Sequence, residues 1–200
     1  MVKRTKKGGI QIFPVFILLL ILIGIVSLFL YENIIANNKY SNFKNGLDAT
    51  NLAIAKNIDQ KQLARTGELT FKEHNLPGAF ETFKSYLSQN YNLDSNLKSR
   101  ENNKAIVGNV EILDLRLYSV QDNKVTEWRY VPSVASFIKA SDNSINVITP
   151  NKKPVQETSV YSEIKLTTYT VTKTNETQTK DLTIESYVDF IKKEGAANEK

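Results

Sequence analysis

Apolar positions along this chain follow three successive patterns. From Ile10 to Tyr31 the run IQIFPVFILLLILIGIVSLFLY carries no charge, and the nearest charges are Lys7 and Glu32. At a rise of about 1.5 Å per residue, a helix of this length crosses a hydrocarbon layer about 30 Å thick. The run is too long for a core helix or a signal-peptide core, and no A-x-A-like cleavage site follows it. It predicts a transmembrane helix. Pro14 lies in its first turns, where a missing N–H costs least, and Gly24 and Ser27 are small residues of the kind that let membrane helices approach.

Beyond Tyr31 the pattern takes a helical period. Ala36, Tyr40, Phe43, Leu47, Ile54 and Ile58 recur at steps of four, three, four, seven and four, one stripe on one helix. A helix unbroken from Ile10 to Ile58 would be on the order of 70 Å long. Asn37-Asn38 and Gly46 are its weak points, and Gln60 to Gln62 with Thr66-Gly67 mark its end. The stripe needs something to pack against. Pro77-Gly78 opens a short helix with Phe80, Phe83 and Leu87 on one face, flanked by Tyr86 and Tyr91, and this is its expected partner.

After a polar connector from Asn92 to Lys104 the period changes to two. Leu113, Leu115 and Leu117 alternate with Asp114, Arg116 and Tyr118, the mark of a half-buried strand within Ala105 to Gln121. Gln121-Asp122-Asn123-Lys124 predicts a hairpin turn, and Val125 to Val131 its return strand. A short helical turn through Val134, Phe137 and Ile138 is expected within Pro132 to Ser144, then a brief strand from Ile145 to Thr149. Val160 to Lys173 reads as a long strand, followed by a turn at Thr174-Asn175-Glu176 and a return strand ending near Leu182. Ile184 to Lys193, with Thr183 as N-cap and Ile184, Val188 and Ile191 at helical spacing, predicts a last helix. The terminal GAANEK is expected to fray.

The expected architecture is α+β: an N-terminal transmembrane helix continuing into a long amphipathic helix, then a small antiparallel sheet domain with short helices. Residues 1–9 form a basic head, 10–31 the membrane span, 32–64 a helical neck and 65–200 an outer domain. Charge fixes the orientation. The formal net charge is +5, and Lys3, Arg4, Lys6 and Lys7 contribute +4 of it, leaving +1 for the rest. By the positive-inside rule these four residues hold the N-terminus in the cytoplasm, with the domain after Glu32 outside and membrane lipid as the immediate partner. The basicity is therefore a topology signal, and a nucleic-acid surface is not expected.

Chemistry finds little to work with. The chain has no cysteine and one histidine, His74, on a loop beside Glu73. Neither a thiolate nucleophile nor a zinc site follows, and there is no G-x-S-x-G, P-loop or H-E-x-x-H motif. Asp114, Glu127, Glu163, Asp181 and Glu185 read as solvated strand faces rather than as a tuned acid and base. Asn175-Glu176-Thr177 matches a glycosylation acceptor, which matters only in a glycosylating host. No enzymatic activity and no cofactor or metal are expected.

The run GGIQIFPVFILLLILIGIVSLFLYENIIANNKY, followed by KNGLDATNLAIAKNID and more loosely by AFETFKSYLSQNYNL, resembles the Tad-pilus proteins of the TadE/TadG group. The resemblance covers roughly the first 60 residues. It implies a pilin-like fold, assembly with other pilin-like or secretion-machine subunits, and processing by a prepilin peptidase, with Gly8 and Gly9 as the candidate cut. One feature departs from the pattern. Pilins and most TadE-like proteins carry a glutamate near the start of the apolar helix, whereas Gln11, Phe13 and Pro14 stand here and the first carboxylate is Glu32. This points away from a major shaft subunit, toward a minor or initiating pseudopilin or an uncut assembly protein. Two other classes remain open. One is a single-pass subunit of a conjugation or secretion channel with a protein-binding outer domain of the nuclear-transport-factor-like kind. The other is a tethered enzyme or sensor with a pocket around His74 or Trp128.

Overall fold

The computed structural model describes residues 9–171 and 177–190. They divide into two compact units, one ending at Asn42 and the other beginning at Phe43. The fold is α+β. Helix α1 (Gly9–Ala53) belongs to both units and continues through Asn37-Asn38 and Gly46 without a break. It is the one helix among the described residues long and apolar enough to cross a membrane, which is compatible with a single-pass membrane protein.

α1 stops short of the expected Ile58. Ile54–Asn57 tightens into a 3-10 turn, and Ile58 is extended (φ −66°, ψ 143°), bridging to Phe71 across the chain. A second short helix, α2 (Gln60–Thr66), is capped by Asp59, whose carboxylate accepts from Lys61 N–H, and it ends at Gly67 with φ +72°. Helix α3 (Leu76–Asn90) starts as expected, with Pro77 in its first turn. Ala79, Phe83 and Leu87 are fully buried on one face, and Phe80 packs half-buried at its edge.

The remainder is one antiparallel sheet of β1 (Ile106–Gln121), β2 (Lys124–Val131), β3 (Ser136–Ser144), β4 (Ser159–Val171) and β5 (Thr177–Asp189), in the order β3-β2-β1-β4-β5. The β1–β2 hairpin turns through Asp122 (φ 50°) and Asn123 (φ 60°), the paired left-handed conformations a two-residue turn demands of Asx residues. Leu115, Leu117, Trp128, Val160, Ile164 and Ile184 form the inner face, in one core with Leu47, Ile54, Phe83 and Leu87. The register of β1 on β4 shifts between Ile112 and Asp114, and there Leu113 is left 38% exposed while Leu115 and Leu117 are fully buried.

Three further expectations are corrected. Ile184 to Asp189 is strand, not helix: β5 pairs with β4 over thirteen consecutive positions, from Thr177 opposite Val171 to Asp189 opposite Ser159. Leu182, Ile184, Ser186, Val188 and Phe190 also recur at period two, and the step from Ile184 to Val188 satisfies both periods, so a four-residue spacing misled. Phe137 and Ile138 lie in β3, with only Pro132–Val134 forming a 3-10 turn that ends at Ala135 with φ 49°. Ile145 to Thr149 is not a strand; Ile148 makes an isolated bridge to Pro154, in the crossover that leads to β4. The expected 174–176 turn, Asn175 and Glu176 of the glycosylation match, the fraying tail, Ile191, Lys3, Arg4, Lys6, Lys7 and Gly8 lie outside the described residues.

Candidate functional site: the faces of the long helix

The side chains from Phe13 to Tyr31 are exposed throughout, Leu18 at 68% and Phe29 at 63% among them. A Cβ placed on Gly24 would meet nothing within 4 Å. Among the described residues nothing covers this apolar surface.

The predicted stripe divides. Ala36 and Tyr40 are exposed. Phe43 is half-buried, Leu47 and Ile54 are fully buried, and Ile58 is buried beyond the helix end. The change begins at Phe43, whose ring stacks on Tyr91 with centroids 5.8 Å apart and planes 8° apart. Tyr91 also donates its hydroxyl to the Phe43 carbonyl. Its ring lies so close to α1 that a Cβ on Gly46 would come within 3.2 Å of it, so the glycine is what lets α1 approach this ring. Burial holds the Tyr91 phenol well above its ordinary pKa, with Asp48 adding to the shift. Asn90 Nδ2 reaches the Gly46 carbonyl at 3.1 Å and Thr50 Oγ1 at 2.9 Å.

One residue of the seam was not read from the sequence. Asn51 is fully buried at the position where the stripe steps seven residues from Leu47 to Ile54. Its Nδ2 donates to Ser186 Oγ at 2.8 Å, and its Oδ1 accepts from Ser162 Oγ at 2.8 Å. Ser186 Oγ in turn donates to Asp48 Oδ1 at 2.6 Å, and Lys44 Nζ closes the chain on the same carboxylate at 3.0 Å. Ser162 and Ser186 are cross-strand partners on β4 and β5, so one amide bolts α1 to two strands. The gap in the apolar stripe was the available signal.

The outer face of the sheet carries a separate ion network. Asp114, 7% exposed, accepts from Arg116 at 2.7 Å and Arg129 at 3.2 Å, and Arg116 also pairs with Glu127 at 3.0 Å. Tyr118, Val125, Val155 and Tyr161 form a small second core beside it. Burial first, then Glu127, pushes the Tyr118 phenol well above its ordinary value. Each charge here is matched by another, an arrangement that ties strands together.

His74 is exposed and borders a cleft of about 390 Å³ with Lys56, Lys61, Lys72 and Asp59. The Asp59 carboxylate is engaged by Lys72. Trp128 lines a slot of about 290 Å³ with Glu73, Leu76, Pro77, Ser136, Phe137 and Lys139, where Lys139 and Glu73 pair at 2.8 Å. Among the described residues no cluster of three or more His, Asp or Glu side chains could hold a metal. In comparison with known proteins, no protein-family model, curated protein or solved structure matches this chain.

Proposed function

We propose that this chain is a single-pass, non-catalytic assembly subunit of a Tad-like or type IV-like pilus or secretion machine, with its N-terminus cytoplasmic and its α+β head outside. One observation carries the reading: a single helix, α1, is an uncovered apolar span at one end and a core element of an antiparallel sheet domain at the other. That is the division of labour a pilin-like subunit requires, in which one helix both anchors the head and remains available to neighbours. An apolar run with no charge from Ile10 to Tyr31 supports membrane residence. The absence of a carboxylate there supports a minor or initiating role over a shaft role, because a buried glutamate is tolerated in lipid only where a partner amine meets it.

Intact mass of the protein purified from its native membrane tests this reading. Removal of the first eight or nine residues is the expected result for a processed pseudopilin. A full-length N-terminus in a host with an active prepilin peptidase would overturn processing. Recovery of the chain without any other envelope subunit after in-membrane crosslinking would overturn assembly.

A further inference from the structure

We infer that Asn33 to Asn42 is a low-stability hinge in α1, a stretch that passes readily between helix and coil while the helix on either side stays formed. The inference rests on the reading of residues 10–31 as a membrane span. Every residue from Asn33 to Asn42 is exposed except the half-buried Lys39, and the boundary between the two compact units falls at the end of this stretch, between Asn42 and Phe43. Protein helices draw most of their stability from packing of a covered face, and this segment has almost none. Its neighbours differ for separate reasons. Residues up to Tyr31 sit where lipid forbids unpaired backbone groups, and from Phe43 onward the Tyr91 stack and the Asn51 bolt hold the helix.

Composition weakens the segment further. Asparagines stand at 33, 37, 38 and 42, and each disfavours helix by about threefold relative to alanine. Asn33 Nδ2 already donates to the Phe29 carbonyl at 2.9 Å, the local side-chain bond by which asparagine competes with helical pairing. Taken over ten residues, intrinsic propensities favour coil by roughly 100-fold, while the new helix ends created by opening oppose it by about a thousandfold. The helix is therefore favoured by only about 10-fold. Such a joint lets the span and the head move independently until a neighbour covers the stripe at Ala36 and Tyr40.

Hydrogen exchange on the full chain in detergent micelles tests this. Amides of 33–42 should show protection on the order of 10-fold, against more than about 1,000-fold for 45–53 and 14–31. Replacing all four asparagines (Asn33→Ala, Asn37→Ala, Asn38→Ala, Asn42→Ala) should raise protection in the segment roughly 80-fold, four factors of about three, and leave 45–53 unchanged. Protection of 33–42 equal to that of 45–53, or an alanine variant that exchanges like the parent, would overturn the hinge while leaving the span intact. Fast exchange across 14–31 as well would overturn the span and the hinge together.

Discussion

Replacing Asn51 by alanine should be among the most damaging single changes to a polar residue in the head. The substitution removes two hydrogen bonds of 2.8 Å, each contributing about 1 kcal/mol net. It also leaves the Ser162 hydroxyl, fully buried, without its acceptor, at a further cost of about 1–2 kcal/mol. Ser186 loses less, because its hydroxyl still donates to Asp48. The sum is about 3–4 kcal/mol before any cavity is counted, a large share of the stability of an ordinary domain. Trp128 is the only tryptophan and is 5% exposed, so its fluorescence reports head unfolding directly during urea titration in micelles. A double-mutant cycle sharpens the test. Ser162→Ala alone should cost about 1 kcal/mol, yet in the Asn51→Ala background it should cost nothing or restore stability, because it deletes the orphaned hydroxyl. A loss below about 0.5 kcal/mol for Asn51→Ala, or additivity of the two changes within about 0.5 kcal/mol, would refute the bolt.

Further predictions test other parts of the argument. Leu47→Ala, at a site with no exposure, should cost about 3 kcal/mol, whereas Leu52→Ala, five residues on and 56% exposed, should cost under about 0.5 kcal/mol; equal losses in urea titration would mean the wrong helix face is assigned. Gly46→Leu should destabilise by about 2 kcal/mol because the new side chain starts 3.2 Å from the Tyr91 ring, and a neutral result would show that this ring moves freely. Acid should unfold the head through carboxylates held below their ordinary values: Asp59 by Lys72, Asp94 by the Lys98 backbone N–H, and Asp181 by Thr167 and then Lys165. Since the folded pKa is the lower one, their contribution is complete above the unfolded value of about 3.9 and is lost as pH falls through the folded values. Thermal midpoints should hold from pH 7 to about 5 and drop below about 4, and the drop should be shallower in Asp59→Asn; an identical pH profile for that variant would remove Asp59 from the account.

The parts of the fold that were legible in the sequence are those where one period dominates. The apolar run to Tyr31, the α3 stripe of Phe83 and Leu87, and the β1 alternation through Leu115 and Leu117 each state their structure in a single spacing. β5 was not legible because Ile184 and Val188 fit both periods, and only the partner strand β4 settles the choice, through pairing that no local window contains. Tyr118 was misjudged for a related reason. Alternation assigns it to the solvent face, but Val125, Val155 and Tyr161 close over that face and bury it completely. Asn51 was invisible because a hydropathy pattern registers a buried amide only as a missing apolar residue, while its value lies in hydroxyls more than a hundred positions away.

On the assembly reading, these details also say which surface is left for partners. The outer sheet face is occupied by its own ion network and by Val147 and Val155 of the crossover. The β3 edge is blunted by two register shifts against β2 and by Asn143 at φ 50°, devices that discourage strand addition. Among the described residues of the head, large exposed apolar side chains stand at Leu52, Leu113, Val134, Ile138, Ile145 and Ile148, and Leu52 borders a cleft of about 450 Å³ with Leu63, Leu69 and Phe190. Among the described residues the longest contiguous apolar surface belongs to α1 before Phe43, and on this reading lipid would cover it only as far as a membrane span extends. Lateral contacts between subunits are therefore expected along the helix, with specificity set by the few polar residues around Ala36 and Tyr40. Asn51 and Gly46 act inside the head: they fix the rotation of α1 after Phe43 against the sheet and the Tyr91 ring.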